Sequence, residues 1–89
     1  MPEISRFLGI VIQMYREKDA PHHRAHFHAI YAGESAVFGL EPVEFLSGQI
    51  PNRQRRFVEV WTELHETELL LDWKLLQEGE RTNPIEPLR

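Results

Sequence analysis

The segment Pro21-His22-His23-Arg24-Ala25-His26-Phe27-His28-Ala29 holds four of the chain's five histidines. Imidazole can bind a metal, move a proton, contact an anion or pack as a flat, half-polar ring. His26 and His28 lie two apart in a strand-like stretch, so both rings project from the same face and can reach one ion. A third ligand would come from His22, His23, His65 or Glu34, and zinc accepts three such ligands plus a water. No H-E-x-x-H framework accompanies them. Without a metal, the same two rings form a general acid–base pair, as in a metal-free nuclease, because imidazole titrates near pH ~6.5. The plainer reading is a pair of rings packed on a sheet, with a ring nitrogen bonded to backbone. His22 and His23 follow Pro21 in a loop and are expected to be exposed. His65 is expected at a helix C-terminus, where a cationic ring suits the dipole. No cofactor is expected; a divalent metal such as zinc is the alternative.

A second cluster is Arg53, Arg55 and Arg56 in "PNRQRR". Pro51 and the N-cap candidate Asn52 place it in the first turn of a helix. Cations there oppose the helix dipole, at a cost of up to about 1 kcal/mol each. Three guanidinium groups beside free backbone N–H groups would suit phosphate, which makes them an anion-binding candidate. Alternatively they pair with Glu59, Glu63 or strand carboxylates.

The rest of the chain limits the chemistry. There is no cysteine, so thiolate catalysis, thiolate metal sites and disulfides are all excluded. No G-x-S-x-G or phosphate loop occurs. Net charge is −4, with Glu59, Glu63, Glu66, Glu68, Asp72, Glu78 and Glu80 against Lys74 alone over residues 59–80. A uniformly basic nucleic-acid binder is excluded; a local basic patch is not. Charged residues at 27% and apolar residues at 42% describe a folded chain. No apolar run approaches the ~20 residues that span a bilayer, and "MPEISRF" lacks a signal-peptide layout, so a cytoplasmic protein without membrane contact is expected.

The elements that must position these residues are strands, then helices. Residues 7–49 read as an antiparallel meander of three to four strands. In "FLGIVIQMYR", Leu8, Ile10, Ile12 and Met14 share one face at period two. In "AHFHAIY", Ala25, Phe27, Ala29 and Tyr31 alternate with His26, His28 and Ile30. Ala32-Gly33 is a tight turn, "ESAVFGL" a third strand ended by Glu41-Pro42, and "VEFLSG" a fourth closed by Gly48. A single helix over residues 53–78 would be about 39 Å long, too long for a domain whose radius of gyration should be near 12 Å. The apolar phase also shifts. Phe57, Val60, Trp61 and Leu64 form one stripe, and Leu69, Leu70, Trp73 and Leu76 cluster half a turn away. Two helices are therefore expected, about 52–64 and 67–78, packed on one face of the sheet, with Phe57, Trp61, Leu64, Leu69, Trp73 and Leu76 in the core. Gly79 ends the second, and a proline-punctuated tail, about residues 80–89, returns Ile85 and Leu88 to the core. The result is a single small α+β domain over residues 1–89.

"ISRFLGIVIQMY", the "HFHA" of residues 26–29, the "LHETELL" of residues 64–70 with Trp73 beyond, and "PIEPL" resemble, in order and spacing, the bacterial family called domain of unknown function 4160. His26 and His28 match the family pattern; His22 and His23 stand outside it. The resemblance implies a small α+β domain. Gene neighbourhoods typical of the family resemble those of toxin–antitoxin pairs, which implies a component of such a pair. The sequence thus supports an interaction module that contacts a protein partner or nucleic acid, working through His26 and His28 with Arg53, Arg55 and Arg56. The alternative is a small histidine-dependent hydrolase or nuclease.

Overall fold

The computed structural model describes residues 3–16 and 24–88. Five strands, β1 (Glu3–Phe7), β2 (Ile10–Gln13), β3 (His26–Tyr31), β4 (Glu34–Gly39) and β5 (Glu44–Gly48), form one antiparallel sheet in chain order. Helices α1 (Asn52–Leu64) and α2 (Glu66–Gln77) follow. The chain is α+β, as expected, with five strands where three to four were anticipated.

The additional strand, β1, lies just ahead of the first apolar run and is joined to it by a turn. Leu8 and Gly9 take φ of +51° and +79°, and Phe7 pairs with Ile10 across them. Positive φ at both central residues makes a two-residue hairpin turn whose twist matches that of its strands. Leu8 sits at the turn and is exposed, although it extends the alternation of Ile10, Ile12 and Met14. An apolar side chain in a turn therefore looks like strand in the sequence. Ala32 and Gly33 make the expected turn between β3 and β4, at φ +50° and +82°.

Register assigns the faces. Ile12 pairs with Ala29, Ala29 with Ala36, and Phe27 with Phe38. Side chains alternate along each strand, so Ile10, Ile12, Met14, Phe27, Ala29, Ala36 and Phe38 share one face, and all are buried. Val58 and Trp61 of α1 and Leu69 of α2 complete that core. The Trp61 ring lies 5.2 Å from Phe7 and 5.9 Å from Phe27.

The helices break at His65 (φ −122°, ψ 22°), close to the expected position. The break is a one-residue kink, because His65 N–H still reaches Trp61 O and Leu69 N–H reaches His65 O. The longest extent of the molecule is 33 Å, less than one straight helix would need. The N-terminal boundary differs by one residue. Pro51 occupies the N-cap and Asn52 is the first helical residue, without a side-chain cap bond.

Trp61 and Leu69 are buried, and Phe57, Trp73 and Leu76 pack against the core half-buried. Leu64 is the correction: it is 66% exposed, and Val60 is exposed with it. The sheet-facing side of α1 carries Val58, Trp61 and Thr62 instead. Thr62 tolerates burial because its hydroxyl donates to Val58 O at 2.6 Å. A hydropathy phase counts threonine as polar and rotates the stripe accordingly.

The tail returns to the body. Ile85 is buried, its N–H donates to Ile4 O at 2.8 Å, and Leu88 packs against the core. Among the described residues no helix is long and apolar enough to cross a membrane.

Candidate functional site

His26 and His28 lie on the face of β3 opposite Phe27 and Ala29. Their ring centroids are 5.6 Å apart, close to edge-on. His26 is buried. Its Nδ1 lies 2.9 Å from Arg24 O, and a carbonyl can only accept, so Nδ1 carries the proton in this contact. The tautomer and ring plane are thereby set by backbone. The outer side of the His26 ring meets Trp73 of α2, with centroids 5.1 Å apart. His28 pairs with Gln13 across β2, which brings Tyr15 alongside. The two rings stack at 4.7 Å and 12°. His28–His26–Trp73 therefore forms an aromatic row, extended by Tyr15 at the His28 end.

Arg24 organises the base of this row. It donates to Leu40 O and Pro42 O and pairs with Glu44 at 2.6 Å. Its guanidinium lies over Gly39, the partner of His26 across β4. A Cβ on Gly39 would stand 2.7 Å from Arg24 Nε. Arg24 thus links the start of β3 to the connection between β4 and β5. Glu66 of α2 accepts from Glu41 N–H in the same connection. Together with the Trp73 contact, this sets α2 along the end of the sheet where β3 begins.

Sequence reasoning missed Arg24, Tyr15 and the contact role of Trp73. Arg24 was legible to a degree, since it is two residues before His26 and alternation puts it on the same side. Tyr15 needed the β2–β3 register, and Trp73 needed the direction of α2.

The third-ligand candidates separate. Glu34 pairs with Tyr31 at the far end of β3. His65 sits at the helix kink, bonded to Glu68 at 2.7 Å and with its ring 5.7 Å from Trp61. His22 and His23 lie outside the described residues. Among the described residues, no three histidine, aspartate or glutamate side chains converge on a point that could hold a metal.

The arginines stand elsewhere. Arg55 lies over the Phe45 ring at 4.4 Å and approaches Glu59 at 3.7 Å. Phe45 packs on Phe38, on the core face of the sheet. Arg53 lies over Phe57 at 5.5 Å, and Arg56 is exposed. The histidines and Arg55 are therefore on opposite faces of the sheet.

Among known proteins, a family model described as Domain of unknown function (DUF4160) matches residues 9–74. The chain belongs to this family. Within the DUF4160 match fall β2 to β5, α1, the aromatic row and Trp73, while β1 and the tail lie outside it. No curated protein and no solved structure matches the chain.

Proposed function

We propose that this DUF4160 chain is a protein-binding module whose contact surface is the outer face of α1, and that it serves, separately from what occupies that face, as one component of a toxin–antitoxin-like pair. One observation carries this reading. Val60 is 50% and Leu64 66% exposed, one helical turn apart. Phe57 stands a turn before Val60, half-buried, so the three make an apolar stripe beside the core-facing side of the helix. Single exposed leucines are common, but a stripe at helical spacing is the form in which a helix presents itself to a partner. The charged surroundings of Arg53, Arg56 and Glu63 give it a polar rim.

The test is recovery of bound protein by the tagged chain, and by its Val60→Glu/Leu64→Glu variant, from host cells that also produce the untagged chain. A partner held by the first and lost by the second, with both folded by circular dichroism, is the expected result. Equal recovery by both, or none by either, overturns the reading.

A second reading is a hydrolase or nuclease working through His26 and His28. It rests on the 5.6 Å spacing of the rings and on the backbone contact that orients His26. Cleavage of an ester or RNA substrate that is lost in His28→Gln would favour it.

A further inference from the structure

Of the three arginines at the start of α1, the fold engages Arg53 with Phe57 and Arg55 with Phe45 and Glu59, and leaves Arg56 unexplained. The first turn contains no acidic residue to offset the repulsion of these cations by the helix dipole. Arg55 is engaged with Phe45 and Glu59, whereas Arg56 makes no ion pair or hydrogen bond among the described residues. Glu63, near the other end of the same helix, likewise makes none, although it lies beside the unfavourable negative end of the dipole. Both residues are exposed.

Their spacing is informative. Arg56 and Glu63 are seven residues apart, two turns, and so lie on one flank of the Phe57–Val60–Leu64 stripe. Phe57, Val60 and Leu64 follow the alternating three- and four-residue steps of a coiled-coil seam. Arg56 and Glu63 occupy the position just before each seam residue that starts a heptad. In an antiparallel pair of such helices these flanking positions face each other across the seam. Two copies of α1 related by a two-fold axis would bring Arg56 of each against Glu63 of the other. The same pairing sets Phe57 against Val60 and lays the aliphatic stem of Arg53 on Leu64. A two-fold contact needs a self-complementary surface, and a stripe with one positive and one negative end meets that need.

We propose that the partner occupying the α1 stripe is a second copy of this chain, docked antiparallel and held in register by two reciprocal Arg56–Glu63 pairs. This rests on the reading that the outer face of α1 is the contact surface, and names what covers it. The opposing charge also accounts for Arg56 near the wrong end of a helix, since it would be offset by Glu63 of the other copy.

The experiment is sedimentation of the full chain from about 10 μM to about 1 mM, a range suited to a small contact. Wild type is expected to dimerise. Arg56→Glu alone sets two carboxylates together at each contact, and Glu63→Arg alone sets two guanidinium groups together. Each should weaken the dimer by about tenfold or more. Both substitutions improve the match to the helix dipole, so the fold is retained. An equimolar mixture of the Arg56→Glu and Glu63→Arg chains restores both pairs. The carboxylate introduced into one chain then faces the guanidinium introduced into the other, and the native Glu63 of the first faces the native Arg56 of the second. The mixture should dimerise like wild type. A role of either residue within one copy would not produce this rescue by mixing.

A wild-type chain that stays monomeric throughout, a dimer indifferent to both substitutions, or a mixture that stays monomeric overturns the proposal. If the chain is monomeric yet recovers a different protein through Val60 and Leu64 from cells, the contact surface stands and only its occupant is wrong.

Discussion

The indole Nε1–H of Trp61 donates to the backbone carbonyl of Glu86 at 2.8 Å. One fully buried side chain therefore fills the space between helix and sheet and also fastens the tail. Trp61→Ala should cost about 3–5 kcal/mol. Trp61→Phe keeps much of the volume and loses the bond, so it should cost about 1–2 kcal/mol and expose the tail to proteolysis. Urea midpoints and limited digestion read the two effects separately. A midpoint unchanged in Trp61→Ala would contradict the burial.

At Gly48 the backbone has φ +91°, and a Cβ would collide with Ser35 O and stand 2.7 Å from Ala36 Cα. Gly33 has φ +82° with nothing within 4 Å. Both glycines share the left-handed strain, and only Gly48 is also crowded by a neighbouring strand. Gly33→Ala should cost about 1 kcal/mol, and Gly48→Ala about 2–3 kcal/mol. Equal losses in thermal denaturation would show that conformation alone matters at both.

The turn between β3 and β4 has Ala32 at φ +50°, a position that asparagine adopts more readily than alanine. Ala32→Asn should raise stability by about 0.5–1 kcal/mol without touching the core. A lower melting temperature in the variant would argue against this turn type.

Asp72 is buried, with Oδ1 accepting from Asn83 N–H and Oδ2 without a hydrogen-bond partner among the described residues. Burial pushes its carboxyl above the ordinary aspartate value of 3.8. The Asn83 N–H pulls the other way, and the nearby charge of Glu68 adds to the rise. A carboxyl raised in the folded state binds its proton more tightly there than in the unfolded chain. Its contribution to stability is present below the ordinary value and is lost as pH rises through the folded value. Asp72→Asn should therefore be more stable than wild type at neutral pH, and the gap should close as pH falls through the folded value, vanishing below about 4. Urea midpoints across that range would show it, and a gap that widens on acidification would contradict the assignment.

Period two in residues 25–31, the Ala32-Gly33 turn, and the phase change around His65 are local properties, and they were readable from the sequence because side-chain direction follows backbone geometry within a few residues. The shared face of His26 and His28 was legible for the same reason. Everything that depended on what covers a face was not. Local pattern said that Leu64 was more apolar than Thr62; the position of the sheet decided that Thr62 goes inside, where the Val58 carbonyl satisfies its hydroxyl. The Leu8-Gly9 turn was hidden because an exposed leucine continued the alternation of its neighbours. The sequence presents histidines and arginines as two clusters. Only the tertiary structure decided that His26 and His28 lie on one face of the sheet and Arg55, over Phe45, on the other. Distance along a chain carries no information about which side of a sheet a later helix will cover. That choice is made by the register of all five strands and by the apolar area their common face must bury.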